Sequence, residues 1–406
     1  MPDIFQHAVF KEAMADIEAL GIQVSADPGE NAVPYAVIGG RSNARWWLLP
    51  LNNRHVTVSG LALFQPLLKS AQWMKRGVVA LSQMGLGRLW AKPTVYLTGE
   101  PGIAKYFDNK PLSYAYFTGT DSPHRKVAIQ IMDDDGHLKG FAKVSRNPQV
   151  RELLKNEAAT LEYVNGLGLQ TAHLPTVLFS GDLGNSTLLV TNTLKTPQTP
   201  TTSQFTALHR AFVQELAQKT SAAHLVQAGD IARDFRARFV RVRPHLETTW
   251  CRRLDAAIAA LEAKPELALN AGLSHGDFTP WNTFMADGRL YVFDWEYAEQ
   301  ARPVSSDIIH FVLNQPQTRS LPAIAKIEAA TATLSQPWTG IQSDAIPALL
   351  IIYLLIQGLR HIERLPDNMK HSDTWDGAED TAAMFDSFSV ITTRTCKASL
   401  LGTGHA

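Results

Sequence analysis

The chain has 406 residues, 45% hydrophobic and 19% charged, with 38 Lys and Arg balancing 38 Asp and Glu. That much apolar material suffices for a buried core in two or three lobes and reads as an ordinary soluble protein. Cys251 and Cys396 stand far apart without metal-ligand spacing, which argues against a disulfide framework or a zinc site and fits a reducing cytoplasm.

The N-terminus lacks a basic segment followed by an apolar stretch, and the longest apolar run, 346–356, contains Pro347 and is shorter than a bilayer span. Neither a secretory leader nor a transmembrane segment is expected. Charge is uneven: between Arg41 and Lys110 ten Lys and Arg face only Glu100 and Asp108, so an anionic partner would meet the N-terminal third.

In chain order, 4–20 has the apolar spacing of an amphipathic helix, followed by strand-like "YAVIGG" and "RWWLLPL". The stretch 61–90 mixes Trp73, Trp90 and leucines with Lys69, Lys75, Arg76 and Arg88. Its spacing suits a helix packed on a core, with weak contact to a membrane surface as the lesser reading. From 113 to 146 three short runs, "YAYFTG", "KVAIQIMD" and "GFAKVS", read as an antiparallel meander, and "VRELLKNEAATLEYVNGLGL" as the helix after it. "STLLVTNTL" is a further strand, "KTPQTPTTS" a linker, and the chain beyond Phe205 is mainly helical. These patterns divide the chain into 1–110, with no assigned function, a sheet lobe at 111–200 and a helical lobe at 201–400. The basic "FRARFVRVRP" could address an anion, but its arginines are expected to pair with carboxylates across helices, and no nucleic-acid partner is expected.

One segment interrupts the helical part: "LSHGDFTPWNTFMADGRLYVFDWEY", 273–297. Phosphoryl transfer needs a base to orient the acceptor, oxygen ligands for magnesium, and a cation on the non-transferred phosphates. Asp277 lies two residues after His275 and five before Asn282, the H-x-D-x-x-x-x-N spacing in which the Asp takes the hydroxyl proton and the Asn amide oxygen binds metal. The Asp287-Gly288 turn between two apolar runs folds the chain back, so Asp294 is the second metal ligand. His275 is expected to support the loop by hydrogen bonding. Upstream, Lys143 in "FAKV" has the apolar-x-apolar-Lys form of a nucleotide lysine, and Glu157, preferred to Glu152 and Glu162, would orient it from the following helix.

"HGDFTPWN" with "VFDWE" resembles the aminoglycoside phosphotransferase and choline kinase family of small-molecule kinases, over about 113–365. The resemblance implies an α+β, two-lobed protein-kinase-like fold, with a small antiparallel-sheet lobe, a mainly helical lobe and an additional N-terminal region. It further implies ATP and magnesium as cofactors and a small-molecule or sugar hydroxyl as acceptor. Carried over by residue, Asp277 is catalytic, Asn282 and Asp294 bind metal, Lys143 binds nucleotide, and Asp307 in "PVSSDIIHF" braces the catalytic loop. Gly119 is the one glycine available to a nucleotide-covering loop in "YFTGTDSPHRKV", where protein kinases carry three. The competing reading is a pseudokinase or nucleotide-binding scaffold. A protein kinase is disfavoured by Thr279, where that family has Lys, and by the lack of an A-P-E segment. A metal-dependent hydrolase would act without ATP.

Overall fold

The computed structural model describes residues 4–39, 44–64, 69–86, 95–120, 122–196, 199, 202–221, 225–365, 375 and 377–388. Cys396, Trp90, Arg88 and part of the 195–203 linker lie outside them. The chain divides into two compact units, Met1–Gly168 with Leu174–Pro200, and Leu169–His173 with Thr201–Ala406.

The first unit runs α1 (Ala8–Glu18), β1 (Gln23–Ser25), β2 (Val33–Gly39), β3 (Trp46–Pro50), α2 (Arg54–Gly60), α3 (Lys69–Gln83), β4 (Val95–Thr98), β5 (Ser113–Phe117), β6 (Val127–Met132), β7 (Leu138–Ser145) and α4 (Pro148–Gly166). After β8 (Ala172–His173), which belongs to the second unit, come β9 (Val177–Leu183) and β10 (Ser186–Asn192). Nine strands form one sheet in the order β1-β4-β2-β3-β5-β6-β7-β10-β9, every pairing antiparallel. The meander expected at 113–146 is its β5-β6-β7 centre. The first 110 residues supply four of the strands, β1 to β4.

Alternation along β3 explains the join. Trp46 and Leu48 enter the main core with Phe10, Tyr116, Ile129 and Val144, whereas Leu49 faces a second cluster with Val56, Ala115 and Met132. Both faces are therefore buried, each large side chain contributing about 2 kcal/mol. Trp47 stacks on Phe117 of β5 at 4.8 Å, and the Trp46 amide donates to Thr118 Oγ1 at 3.0 Å. α1 is tied to the end of β7 by Asp16, which accepts from the Arg146 amide and Nε. α3 packs Val78 and Val79 inward but leaves Trp73 70% and Met74 53% exposed, with the Arg76 guanidinium over the Trp73 ring.

The second unit holds α5 (Ala207–Thr220), β11 (Leu225–Gln227), α6 (Ala228–Val242), α7 (Thr248–Glu262), β12 (Ala268–Ser274), β13 (Thr283–Ala286), β14 (Arg289–Val292), β15 (Glu299–Pro303), α8 (Ser305–Asn314), α9 (Pro316–Arg319), α10 (Ala323–Leu334) and α11 (Ile346–Arg364). Its strands form two small sheets, β11-β12-β15 and β13-β14-β8. α11 is long and apolar enough to cross a membrane by length and composition, but 78% of its apolar window is buried and it serves as a core helix. The arginines of α6 pair as expected: Arg236 with Asp255 and Glu262, and Arg238 with Glu363. The fold class is α+β, with a sheet-based first unit and a mainly helical second one.

His209 of α5 is wholly buried, and burial pushes its imidazole down to about 4. The unfolded chain takes up this proton near the ordinary value of about 6.5, the folded chain only near 4. His209 thus gives stability that is complete above about pH 6.5 and is lost as pH falls towards 4. The unfolding midpoint of the second unit should drop between pH 7 and 5, and His209→Gln should flatten that slope. An unchanged slope would exclude His209 as its source.

Candidate active site

β12 delivers a buried strand end directly into Ser274-His275-Gly276-Asp277, and Asp307 on α8 holds that turn from beneath. One Asp307 oxygen accepts from Ser274 Oγ and the Gly276 amide, both at 3.0 Å, and the other from the His275 amide at 2.7 Å. Gly276 has φ +78, and a Cβ there would collide with the Tyr297 carbonyl, so the turn admits only glycine. The His275 ring is buried. Its Nδ1 accepts from the Asp277 amide at 3.2 Å and its Nε2 donates to the Phe293 carbonyl at 3.1 Å. Burial lowers its pKa, and the neutral ring clamps the loop to the returning strand.

Asn282 is 4% exposed and makes the decisive contacts. Its Nδ2 donates to Asp277 Oδ2 at 2.8 Å and to the Asp277 carbonyl at 3.0 Å. Two acceptors at one atom fix it as the nitrogen, which turns the amide oxygen away from Asp277. The return runs through β13 and β14, paired from Thr283↔Val292 to Ala286↔Arg289, with Asp287 and Gly288 both at positive φ in the turn. Beyond β14, Asp294 has φ +71, a left-handed conformation that costs a non-glycine residue on the order of 1 kcal/mol. The charges of Asp277, Asp294 and Asp307 all act on His275, so the three carboxylates share one neighbourhood.

Two residues missed by sequence reading complete the surroundings of Asp277. His310 Nε2 lies 3.0 Å from Asp277 Oδ1, and its Nδ1 lies 3.0 Å from the Tyr353 hydroxyl. Both carboxylate oxygens of Asp277 thus have a fixed neighbour, Asn282 on one side and His310 on the other. His310 follows Asp307 by three residues on α8, a one-turn spacing that places both on the loop-facing side and could have been noticed.

In the first unit, Lys143 lies on β7 opposite Leu189 of β10 and Ala128 of β6. Its Nζ donates to both Glu157 oxygens, at 2.7 and 2.6 Å. Glu157 is buried on α4 with Leu154, Ala158 and Leu161, while Glu152 and Glu162 are exposed. α4 starts at an Asn147 cap followed by Pro148, which sets the helix phase that turns Glu157 inward. Gly119 has φ +81, and a Cβ there would strike the Lys126 carbonyl, so close approach between β5 and β6 already requires this glycine.

Residues 128–310 match the model of the phosphotransferase enzyme family. The matched segment contains Lys143, Glu157, Asp277, Asn282, Asp294, Asp307 and His310, and the match agrees with the resemblance carried by "HGDFTPWN" and "VFDWE". Gly119 and the whole of α11, with Tyr353, fall outside it. No curated protein matches the chain. Among solved structures, a thermostable mutant of an aminoglycoside phosphotransferase is 15% identical over 74% of this chain and 99% of its own, with a TM-score of 0.46. A putative fructosamine-3-kinase from Haemophilus somnus 129PT is 11% identical over 70% and 95%, with a TM-score of 0.44. An aminoglycoside phosphotransferase in a ternary complex with streptomycin and ATP is 14% identical over 70% and 96%, also at 0.44.

Proposed function

We propose that the protein is an ATP- and magnesium-dependent phosphotransferase that moves the γ-phosphoryl group to a hydroxyl of a small molecule or sugar. The observation that carries this reading is the Asn282 amide: its nitrogen is committed to Asp277, so its oxygen is left for a cation while Asp277 keeps its carboxylate for the acceptor. Asn282 Oδ1 and the Asp294 carboxylate would hold magnesium, hard oxygen donors suited to it. When bound, magnesium neutralises charge on the transferring phosphoryl group. Lys143, oriented by Glu157, serves the non-transferred phosphates, and the Gly119 turn would cover them. Asp277 accepts a hydrogen bond from the acceptor hydroxyl and takes its proton as the new O–P bond forms and the β–γ bridge breaks to leave ADP. His310 and Asn282 hold the Asp277 carboxylate in place for this. The same reading assigns the protein to the cytoplasm, in keeping with a sequence that holds only two, widely separated cysteines.

The test is ATP consumption with and without magnesium over a panel of sugars, amino alcohols, aminoglycosides and peptides. Acceptor-dependent ADP release that requires magnesium is expected. Nucleotide binding without turnover on any acceptor would favour the scaffold reading, and phosphate release from an ester without ATP would favour a hydrolase.

A further inference from the structure

α11 is apolar over its first two turns, and four of the polar residues that follow fall on one line. Tyr353, Gln357, Arg360 and Arg364 recur at intervals of four, three and four residues and therefore share a face. That face is turned to the catalytic loop: Arg360, 9% exposed, donates through Nη1 to the Gly276 carbonyl at 2.5 Å. The Tyr297 ring takes both guanidinium groups, with Cζ of Arg360 at 5.1 Å and of Arg364 at 4.2 Å from its centroid.

The two arginines differ in what answers their charge. Arg360 has a loop carbonyl. Arg364 has the ring and, among the described residues, no carboxylate within ion-pair distance. Elsewhere in this unit the part-buried Arg236, Arg238, Arg253 and Arg302 are each met by an Asp or Glu. Burial also pushes the Arg364 guanidinium down to about 10, with Arg360 adding repulsion and Tyr297, Glu296 and Asp277 opposing it. The neighbouring His361, stacked flat on Trp375 at 4.6 Å, is driven down to about 3 by burial and the two arginines, so it remains neutral. A part-buried guanidinium lying over an aromatic face, with no carboxylate in ion-pair reach among the described residues, is arranged to receive an anion.

We infer that Arg364, backed by Arg360, binds an oxyanion of the acceptor, so that the hydroxyl compound presented to Asp277 also bears a carboxylate, phosphate or sulfate group. The inference rests on the phosphotransferase reading and narrows its acceptor to an anionic class, setting aside neutral sugars and polycationic aminoglycosides. The terminal phosphates of the nucleotide are the other source of the same chemistry, and the experiment separates them.

Acceptor-dependent ATP consumption is measured with paired compounds, glucose beside glucuronate and glucose 1-phosphate, and glycerol beside glycerate, with streptomycin as the cationic member. The charged anionic members should be preferred. Arg364→Gln should raise their KM at least tenfold while the KM for ATP is unchanged, and Arg364→Lys should recover part of the loss. Preference for a neutral or cationic member, or a rise in the ATP KM in place of the acceptor KM, overturns the inference. A second arm needs no turnover: binding of inorganic phosphate is followed by calorimetry in the wild type, Lys143→Ala and Arg364→Gln, with unfolding midpoints in phosphate-free buffer as a folding control. Binding kept in Lys143→Ala and lost in a folded Arg364→Gln supports the anion subsite even where no ATP is consumed, in which case only the phosphotransferase reading falls. Phosphate binding undiminished in Arg364→Gln, or absent from the wild type, overturns the subsite itself.

Discussion

Asp277→Asn is expected to lower kcat by about 10²- to 10⁴-fold while leaving nucleotide affinity close to that of the wild type, the size of effect typical for loss of a positioned general base. The substitution keeps the shape of the side chain but replaces one acceptor oxygen by a donor. Asn282 Nδ2 already donates to one oxygen, and His310 Nε2 faces the other at 3.0 Å. The new amide must therefore turn its NH2 towards one of these nitrogens, and whichever way it turns it cannot take the acceptor's proton. Single-turnover measurements with saturating ATP and magnesium separate this loss in chemistry from a loss in binding. A variant that kept more than a tenth of the wild-type rate would remove Asp277 from the role of base, whereas wild type and variant equally inert while both bind nucleotide would favour the scaffold reading.

The second large effect is expected from Asp307→Ala, and it concerns stability before activity. Asp307 is 2% exposed and accepts from the Ser274 hydroxyl and from the His275 and Gly276 amides. Removing the carboxylate leaves the buried Ser274 and His275 donors and the part-buried Gly276 amide without their partner, and each orphaned buried group costs about 1–3 kcal/mol. A loss of about 3 kcal/mol or more in the second unit follows, seen as a lower denaturant midpoint with little change in slope. Activity should fall as well, because the backbone that aims Asp277 is released. A midpoint within 0.5 kcal/mol of the wild type would show that Asp307 does not brace the loop.

The parts of this protein that were legible from its residues are those whose signal is local. Glu157 was separable from Glu152 and Glu162 because Leu161 and Val164 follow it at helical spacing, and the structure buries it alone of the three. The Asp287-Gly288 turn was legible because only a few dipeptides accept positive φ at both positions. What escaped notice depends on pairing between distant segments. That β3 would lie against β5 depends on Trp47 meeting Phe117, 70 residues on, and no periodicity within either strand states it. His310 and Tyr353 reach Asp277 from two helices whose mutual packing is a tertiary outcome. Even so, the polar line through α11 stood in plain view within an apolar run, and its spacing was a missed cue.

The nine-stranded sheet has a consequence for where this protein can be divided. The phosphotransferase-family match begins at residue 128, one residue inside β6, and the strand-poor interval before β5 invites a cut near 110. Either cut severs a continuous ladder: the first removes β5 from β6, the second strips β3 from β5 and opens an aromatic edge at Tyr116 and Phe117. Bare edges of that kind recruit other chains. The family-matched segment and a fragment that keeps every strand of the ladder paired are therefore different lengths of the polypeptide, and the N-terminal strands act as a cap that the matched segment cannot shed.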